Sequence, residues 1–169
     1  MAKQMPREDL FTPIHKGIRS MIYVLGATLQ RTDFTDLPAT ESIVSQLKQN
    51  LQSANSTCIL CMLHEHGGHE EERIFPQIAK HDSLPVEKMI QEHVEITKQI
   101  VEISKVADKL VILTDSDERM ATGNRLNRMV NNLLAYYLIH LNNEEETILP
   151  LTWKYLTDDE IREIRTKIQ

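Results

Sequence analysis

The sequence predicts an all-α protein: an up-down-up-down bundle of four amphipathic helices with a short fifth helix at the C-terminus. Three observations carry this expectation. Apolar residues recur at steps of three and four along four long stretches. Apolar and polar residues nowhere alternate convincingly at period two, so strands are not expected. Five glycines and six prolines among 169 residues are too few for a turn-rich β fold. The length suits one domain, residues 1–169, with a real hydrophobic core.

The first helix is expected over about residues 13–30, with Ile14, His15, Ile18, Ile22, Leu25 and Leu29 on one stripe. The polar loop RTDFTDLPAT follows. The second helix is expected over about 38–76. It opens at Pro38, a residue suited to a first helical turn. Its stripe runs through Ile43, Leu47, Leu51, Cys58, Met62, His66 and Glu70 towards Pro76. The third, about 84–113, starts after Ser83 as N-cap and presents Val86, Met89, His93, Ile96, Ile100, Ile103, Ala107 and Leu110. The fourth, about 117–150, follows the turn TDSD at 114–117 and carries Leu126, Val130, Leu133, Tyr137, His140 and Glu144 towards Pro150. Thr157 with Glu160 three places on forms a capping box. It announces the fifth helix, about 158–168, with Ile161, Ile164 and Ile168 on its stripe, placed across one end of the bundle.

Composition narrows the function. The net charge is −6 and the lysines and arginines are scattered, which argues against a nucleic-acid surface, where positive charge must be concentrated. No stretch reaches the length of a membrane span, and MAKQMPREDL lacks the apolar run of a signal peptide, so a cytoplasmic location is expected. Two cysteines, Cys58 and Cys61, are too few for a disulfide framework.

The chemistry lies in a repeat. Residues 64–76 read HEHGGHEEERIFP and residues 140–150 read HLNNEEETILP. With His66 set on His140, Glu70 falls on Glu144, Glu71 on Glu145, Ile74 on Ile148 and Pro76 on Pro150, so both copies read H-x-x-x-E-E-x-x-I-(F/L)-P. A further histidine sits on the apolar stripe of each preceding helix, His15 and His93. Residues four apart on a helix point the same way, so each copy aims an imidazole and a carboxylate at one interior point. Four imidazoles and two carboxylates are costly to bury unpaired, whereas two cations satisfy them all. The natural arrangement gives one metal His15 and His66 and the other His93 and His140, with Glu70 and Glu144 bridging.

HEHGGHEEERIFP, QEHVEI and HLNNEEETILP resemble the hemerythrin-like, or HHE cation-binding, family, and the resemblance extends to LPLTWKYLTDDEIREI. It implies a non-haem di-iron centre that meets O2, NO or peroxide, with an external electron donor. Carried over by position, the metal ligands are His15, His66, Glu70, His93, His140 and Glu144. Two Fe ions, carboxylate-bridged and with an oxo bridge, are the expected cofactors. Zinc or manganese suits the same ligands, because affinity order alone does not select iron. Oxygen-carrying hemerythrins have a further histidine one turn after the ligand of the third helix, and here that position is Thr97. In this the site is similar to the di-iron domain of the repair-of-iron-centres proteins, which are linked to oxidative and nitrosative stress. Those proteins also carry an N-terminal cysteine-bearing domain, for which this chain has no segment. The readings left open are a di-iron oxidoreductase acting on NO or peroxide, a reversible O2 carrier or sensor, and a zinc- or manganese-filled structural bundle. Self-association into a homodimer is also open.

The neighbouring residues carry lesser expectations. His69 lies about 60° round the helix from His66 and is expected beside the ligands rather than among them. His64 is expected to face solvent and His81 to sit in a loop. Glu71, Glu72, Glu145 and Glu146 read as a solvated face, with Glu71 and Glu145 placed to steer groups behind the ligands. Gly67 and Gly68 each cost a helix about 1 kcal/mol. They are expected to admit a neighbouring helix or a small ligand, or to permit a π-bulge. Cys58-Ile-Leu-Cys61 falls inside the expected second helix, away from a helix start, and reads first as buried small side chains, with a redox or metal-relay role as the alternative because thiols three apart can be near each other. Tyr136 and Tyr137 lie one turn before His140, as core packing or as donors to a bound ligand.

Overall fold

The computed structural model describes residues 7–48 and 58–168. The described chain is helical throughout its elements: α1 Thr12–Arg31, α2 Leu37–Lys48, α3 Ile59–His69, a π turn Glu70–Ile74, α4 Phe75–Ala79, α5 Ser83–Ile112, α6 Ser116–Asn143, a second π turn Glu144–Ile148, α7 Leu149–Tyr155 and α8 Asp158–Ile168. The first arm of the all-α bundle is α1, the second α3 continued through its π turn into α4, the third α5, and the fourth α6 continued into α7. The fourth arm packs against both α1 and α5. α8 lies over the end of the bundle, burying Ile161 and Ile164.

The stretch expected as one helix over 38–76 is divided, with Leu51 lying outside the described residues. α2 packs against α3 and α5, and Cys58 Sγ stands 3.3 Å from the Leu47 carbonyl oxygen. A continuous helix would hold positions eleven apart roughly 16 Å from one another. Cys58 instead takes extended backbone (φ −73°, ψ 102°) and caps α3, its sulfur accepting the Cys61 N–H at 3.2 Å. The apolar stripe passes over SANST, small polar residues that favour caps and turns. The CxxC pair therefore sits at a helix start, not inside a helix as expected, and its two cysteines are joined as a disulfide.

Nor do the two prolines end their helices. Pro76 and Pro150 lie in the first turns of α4 and α7, and the second of these runs on to Tyr155. The Phe75 N–H bonds the Glu70 carbonyl and the Leu149 N–H bonds the Glu144 carbonyl, five residues back in each case. A proline in an unbroken α-helix clashes with the carbonyl four residues before it. The extra residue in each widened turn moves that carbonyl aside. π turns are rare and cluster at functional sites.

The helix starts largely follow their expected chemistry. Asp115 accepts the Glu118 N–H at 2.8 Å, and in the capping box Glu160 Oε2 accepts the Thr157 N–H at 2.8 Å. At α5 the cap is Asp82 rather than Ser83, without a side-chain bond. The loop RTDFTDLPAT is not wholly polar in its burial: Phe34 is buried against Gly123, where any side chain would overlap its ring. Buried Arg119 secures that loop by donating to the Phe34 carbonyl at 2.9 Å and the Leu113 carbonyl at 3.1 Å.

Buried apolar residues form two clusters. The larger gathers Ile18, Leu63, Ile96, Val130 and Tyr137 among others from α1, α2, α3, α5 and α6. The second joins Phe11, Ile74, Phe75, Met89, Ile148 and Ile161 at the end closed by α8. The layer of buried His and Glu side chains belongs to neither.

Candidate metal centre

Four arms deliver six side chains to one place. α1 supplies His15, α3 supplies His66, α5 supplies His93 and α6 supplies His140, while Glu70 and Glu144 each open a π turn. His66 is half-buried and the other five are buried. His66 Nε2 lies 3.2 Å from Glu70 Oε1, and His15 Nε2 lies 3.8 Å from the same oxygen and 3.5 Å from Glu144 Oε2. On the other side His93 Nε2 lies 3.4 Å from Glu70 Oε2, and His140 Nε2 lies 3.3 Å from Glu144 Oε1. Each carboxylate thus turns one oxygen to the His15–His66 pair and the other to the His93–His140 pair.

Two four-residue groups result: His15, His66, Glu70 and Glu144, then Glu70, His93, His140 and Glu144. Ligand atoms within each lie no more than 4.8 Å apart. Two ligands each about 2.1 Å from one metal, at right to tetrahedral angles, would be roughly 3.0–3.4 Å apart. The spacing fits two cations sharing two carboxylates.

Hydrogen bonds behind the site support the same conclusion. His15 Nδ1 bonds Glu145 Oε1 at 2.9 Å, His93 Nδ1 bonds Glu71 Oε1 at 2.8 Å, and His140 Nδ1 bonds Glu92 Oε2 at 2.8 Å. An ionised carboxylate only accepts, so each Nδ1 carries a proton and donates it. In the neutral ring the Nε2 lone pair then points inward, towards carboxylate oxygens that are also acceptors. His93 Nε2 and His140 Nε2 face one another at 3.0 Å. His15 Nε2, His66 Nε2 and all four oxygens of Glu70 and Glu144 are buried with no hydrogen-bond partner. Acceptors converging on acceptors require positive charge among them, as protons or as metal ions.

The titration behaviour says the same. Burial opposes charge on His93, yet the nearby carboxylates of Glu144 and Glu70 outweigh it and raise the imidazole to about 10. His66 and His140 are also raised, burial being overcome by Glu70 and Glu144 respectively. Burial pushes Glu70 up, but His66, His15 and His93 together hold it well below the usual carboxylate range.

The two halves are not alike. Both imidazoles of the His93–His140 pair are backed by carboxylates, and Asn143 Nδ2 steadies Glu92 at 3.0 Å. In the other half His15 has Glu145, which also takes Arg19 Nη1 at 2.7 Å. Among the described residues no carboxylate meets His66 Nδ1. The repeat explains the difference: Glu92 precedes His93, whereas Ile14 precedes His15.

Of the remaining expectations, Glu71 stays exposed and Glu145 is half-buried, each bonding a ligand histidine as its placement allowed, while Glu72 and Glu146 are exposed. His69 is exposed and its repeat partner Asn143 supports Glu92. His64 is exposed, 3.4 Å from Thr97 Oγ1, and His81 stacks in its turn on Tyr155. Tyr137 is core: its hydroxyl donates to the Leu63 carbonyl at 3.1 Å and its ring packs edge-on to His140. Burial together with Glu70 and Glu144 pushes that hydroxyl well above the usual tyrosine range. Gly67 admits a neighbour: a Cβ there would meet the His93 ring at 3.2 Å, whereas Gly68 has nothing within 4 Å. The glycines do not make the π turn, since it recurs at Glu144–Ile148 after Leu141 and Asn142. Glu92 escaped sequence reasoning, although its place directly before His93 was the available signal.

A cavity of about 270 Å³ reaches the centre from one side, lined by Leu63, His64, Gly67, Gly68, His93 and Thr97 among others. No helix among the described residues is long and apolar enough to cross a membrane. The family model described as hemerythrin HHE cation binding domain matches residues 8–152. No curated protein matches the chain.

Proposed function

The chain belongs to the hemerythrin HHE cation-binding family, and from that premise we propose that it is a non-haem di-iron protein reacting with O2, NO or peroxide in oxidative or nitrosative stress. His15 and His66 would hold one iron and His93 and His140 the other, with Glu70 and Glu144 available to both. The observation that carries this is the orphaned set of buried Nε2 and carboxylate atoms at the junction of the four arms. When bound, a di-iron pair supplies electrons to a small oxidant and takes them back from an external donor.

The chain's own residues decide access and order. Glu145, Glu71 and Glu92 hold three of the imidazoles in one tautomer, so that Nε2 is free for a metal. Ile18, Ile96 and Tyr137 are buried beside the centre and keep water from it. The cavity bordered by Gly68 and Thr97, about 270 Å³, has the volume for a diatomic molecule or peroxide, and His93 is part of its lining. Thr97 leaves open there the space that a longer imidazole would take. This open approach favours reactive chemistry over storage.

Metal analysis of protein purified without added iron is expected to find about two iron atoms per chain and a near-ultraviolet band from a bridged ferric pair. Stopped-flow mixing of the reduced protein with O2 is then expected to show rapid, irreversible oxidation. A stable oxy species released under vacuum would mark a carrier instead, and a colourless zinc protein would remove the redox chemistry altogether.

A further inference from the structure

The Cys58–Cys61 pair stands outside the metal centre, and nothing in the function above uses it. Three features single it out. The pair caps α3 at its N-terminus, where the helix dipole and free N–H groups favour a thiolate. Cys58 Sγ has both a donor and an acceptor beside it, the Cys61 N–H at 3.2 Å and the Leu47 carbonyl at 3.3 Å. Such a cradle suits a thiolate, which accepts, and a thiol, which donates, as well as a disulfide. A separate cavity of about 340 Å³ opens onto the pair, lined by Lys48, Cys58, Cys61, His64, Ile100 and Ser104 among others. Cys58 is buried and Cys61 half-buried, so the two sulfurs are not equally reachable.

We propose that Cys58 and Cys61 form a thiol–disulfide exchange site that takes two electrons at a time from an external dithiol. A thiolate of the dithiol attacks the sulfur of Cys61, the less buried of the two cysteines that line the cavity. The bond between the cysteines breaks, and Cys58 leaves as a thiolate held by the Cys61 N–H and the helix start. The second thiol of the partner then attacks its own sulfur in the mixed disulfide, frees Cys61 as a thiolate and departs as a disulfide. Two protons from the partner end on the two cysteines, so the protein's disulfide is reduced and the dithiol oxidised. A leaving thiol of low pKa speeds such exchange. His64 lines both this cavity and the one that reaches His93, so the couple takes up electrons next to the approach to the centre. The site does not depend on which metal the centre holds.

The test equilibrates the full-length, metal-loaded protein in buffers of reduced and oxidised glutathione, followed by acid quenching, alkylation and mass spectrometry. Two alkylation tags are expected to be lost together at one buffer ratio, approached identically from the reduced and the oxidised side. Two free thiols in the most oxidising buffer, or a disulfide untouched in the most reducing one, would overturn the proposal. Cys58→Ser is expected to trap glutathione on Cys61, whereas Cys61→Ser leaves Cys58 unmodified. Equal trapping on both would contradict attack at Cys61.

Discussion

Gly67 and Gly68 differ in what lies opposite each. A Cβ at 67 would stand 3.2 Å from the His93 ring. That ring cannot easily retreat, because Glu71 holds its Nδ1 and Phe75 stacks on its face at 5.5 Å. Gly67→Ala should therefore displace a candidate ligand and weaken metal retention about tenfold, as losses of supporting contacts do. Gly68 is exposed with open space around it, so Gly68→Ala should stabilise the helix by about 1 kcal/mol and leave metal retention unchanged. Chelator competition and thermal melts on the two variants separate the effects; wild-type retention in Gly67→Ala would mean that the ring yields. The same scale shows what could be read in advance. His66–Glu70 and His140–Glu144 were legible because a four-residue offset is a local fact of any helix. Glu71, Glu92 and Glu145 act across to other helices, and pattern along one chain does not say which neighbour a side chain will face. The close approach at Gly67 was among the readings its sequence allowed, but its counterpart Leu141, large and buried, gave no sign of which neighbour comes there.

At the scale of elements, the stripes on α1, α5, α6 and α8 marked the helices because each has one continuous apolar face. The second stripe misled because its periodicity continued across SANST to Cys58, whose backbone is extended where a helix was expected. The π turns were not read from periodicity, since each covers only five residues, too few for its wider turn to stand out from the steps of three and four around it. Yet their position is informative: each begins at a carboxylate that two metal positions would share and ends two residues before a proline. Replacing Pro150 by alanine restores a backbone donor and removes the ring that opposes the α register. The fourth arm can then compete between two registers, and Glu144 loses its single position. Pro150→Ala is expected to weaken metal retention about tenfold, with only a small change in the melting point of the metal-free protein. Titration against a chelator measures the first and calorimetry the second. Unchanged retention would place control of the register in the packing of Ile148 and Leu149.

Across the whole molecule, a polar layer lies between two apolar clusters, and its converging carboxylates call for positive charge to balance them. In the metal-free chain that balance falls to protons. The raised imidazoles of His66, His93 and His140 stabilise the fold fully below about 6.5, their unfolded value. This stabilisation disappears as pH rises through their folded values, about 10 for His93. Glu70, held low, contributes above its usual value of 4.5, and its contribution is lost as pH falls towards its folded value. The metal-free protein should therefore be most stable near pH 5–6 and weaken steadily towards pH 9. Metal ions replace those protons, so their affinity rises with pH while the metal-free fold loses support. The gap between the melting points of the loaded and chelator-stripped protein is expected to widen from pH 6 to pH 9, and calorimetric titrations in buffers of different ionisation enthalpy should register protons released on metal binding. A gap independent of pH would mean that the buried carboxylates are balanced by something other than imidazolium protons, and the electrostatic account of the centre would fail with it.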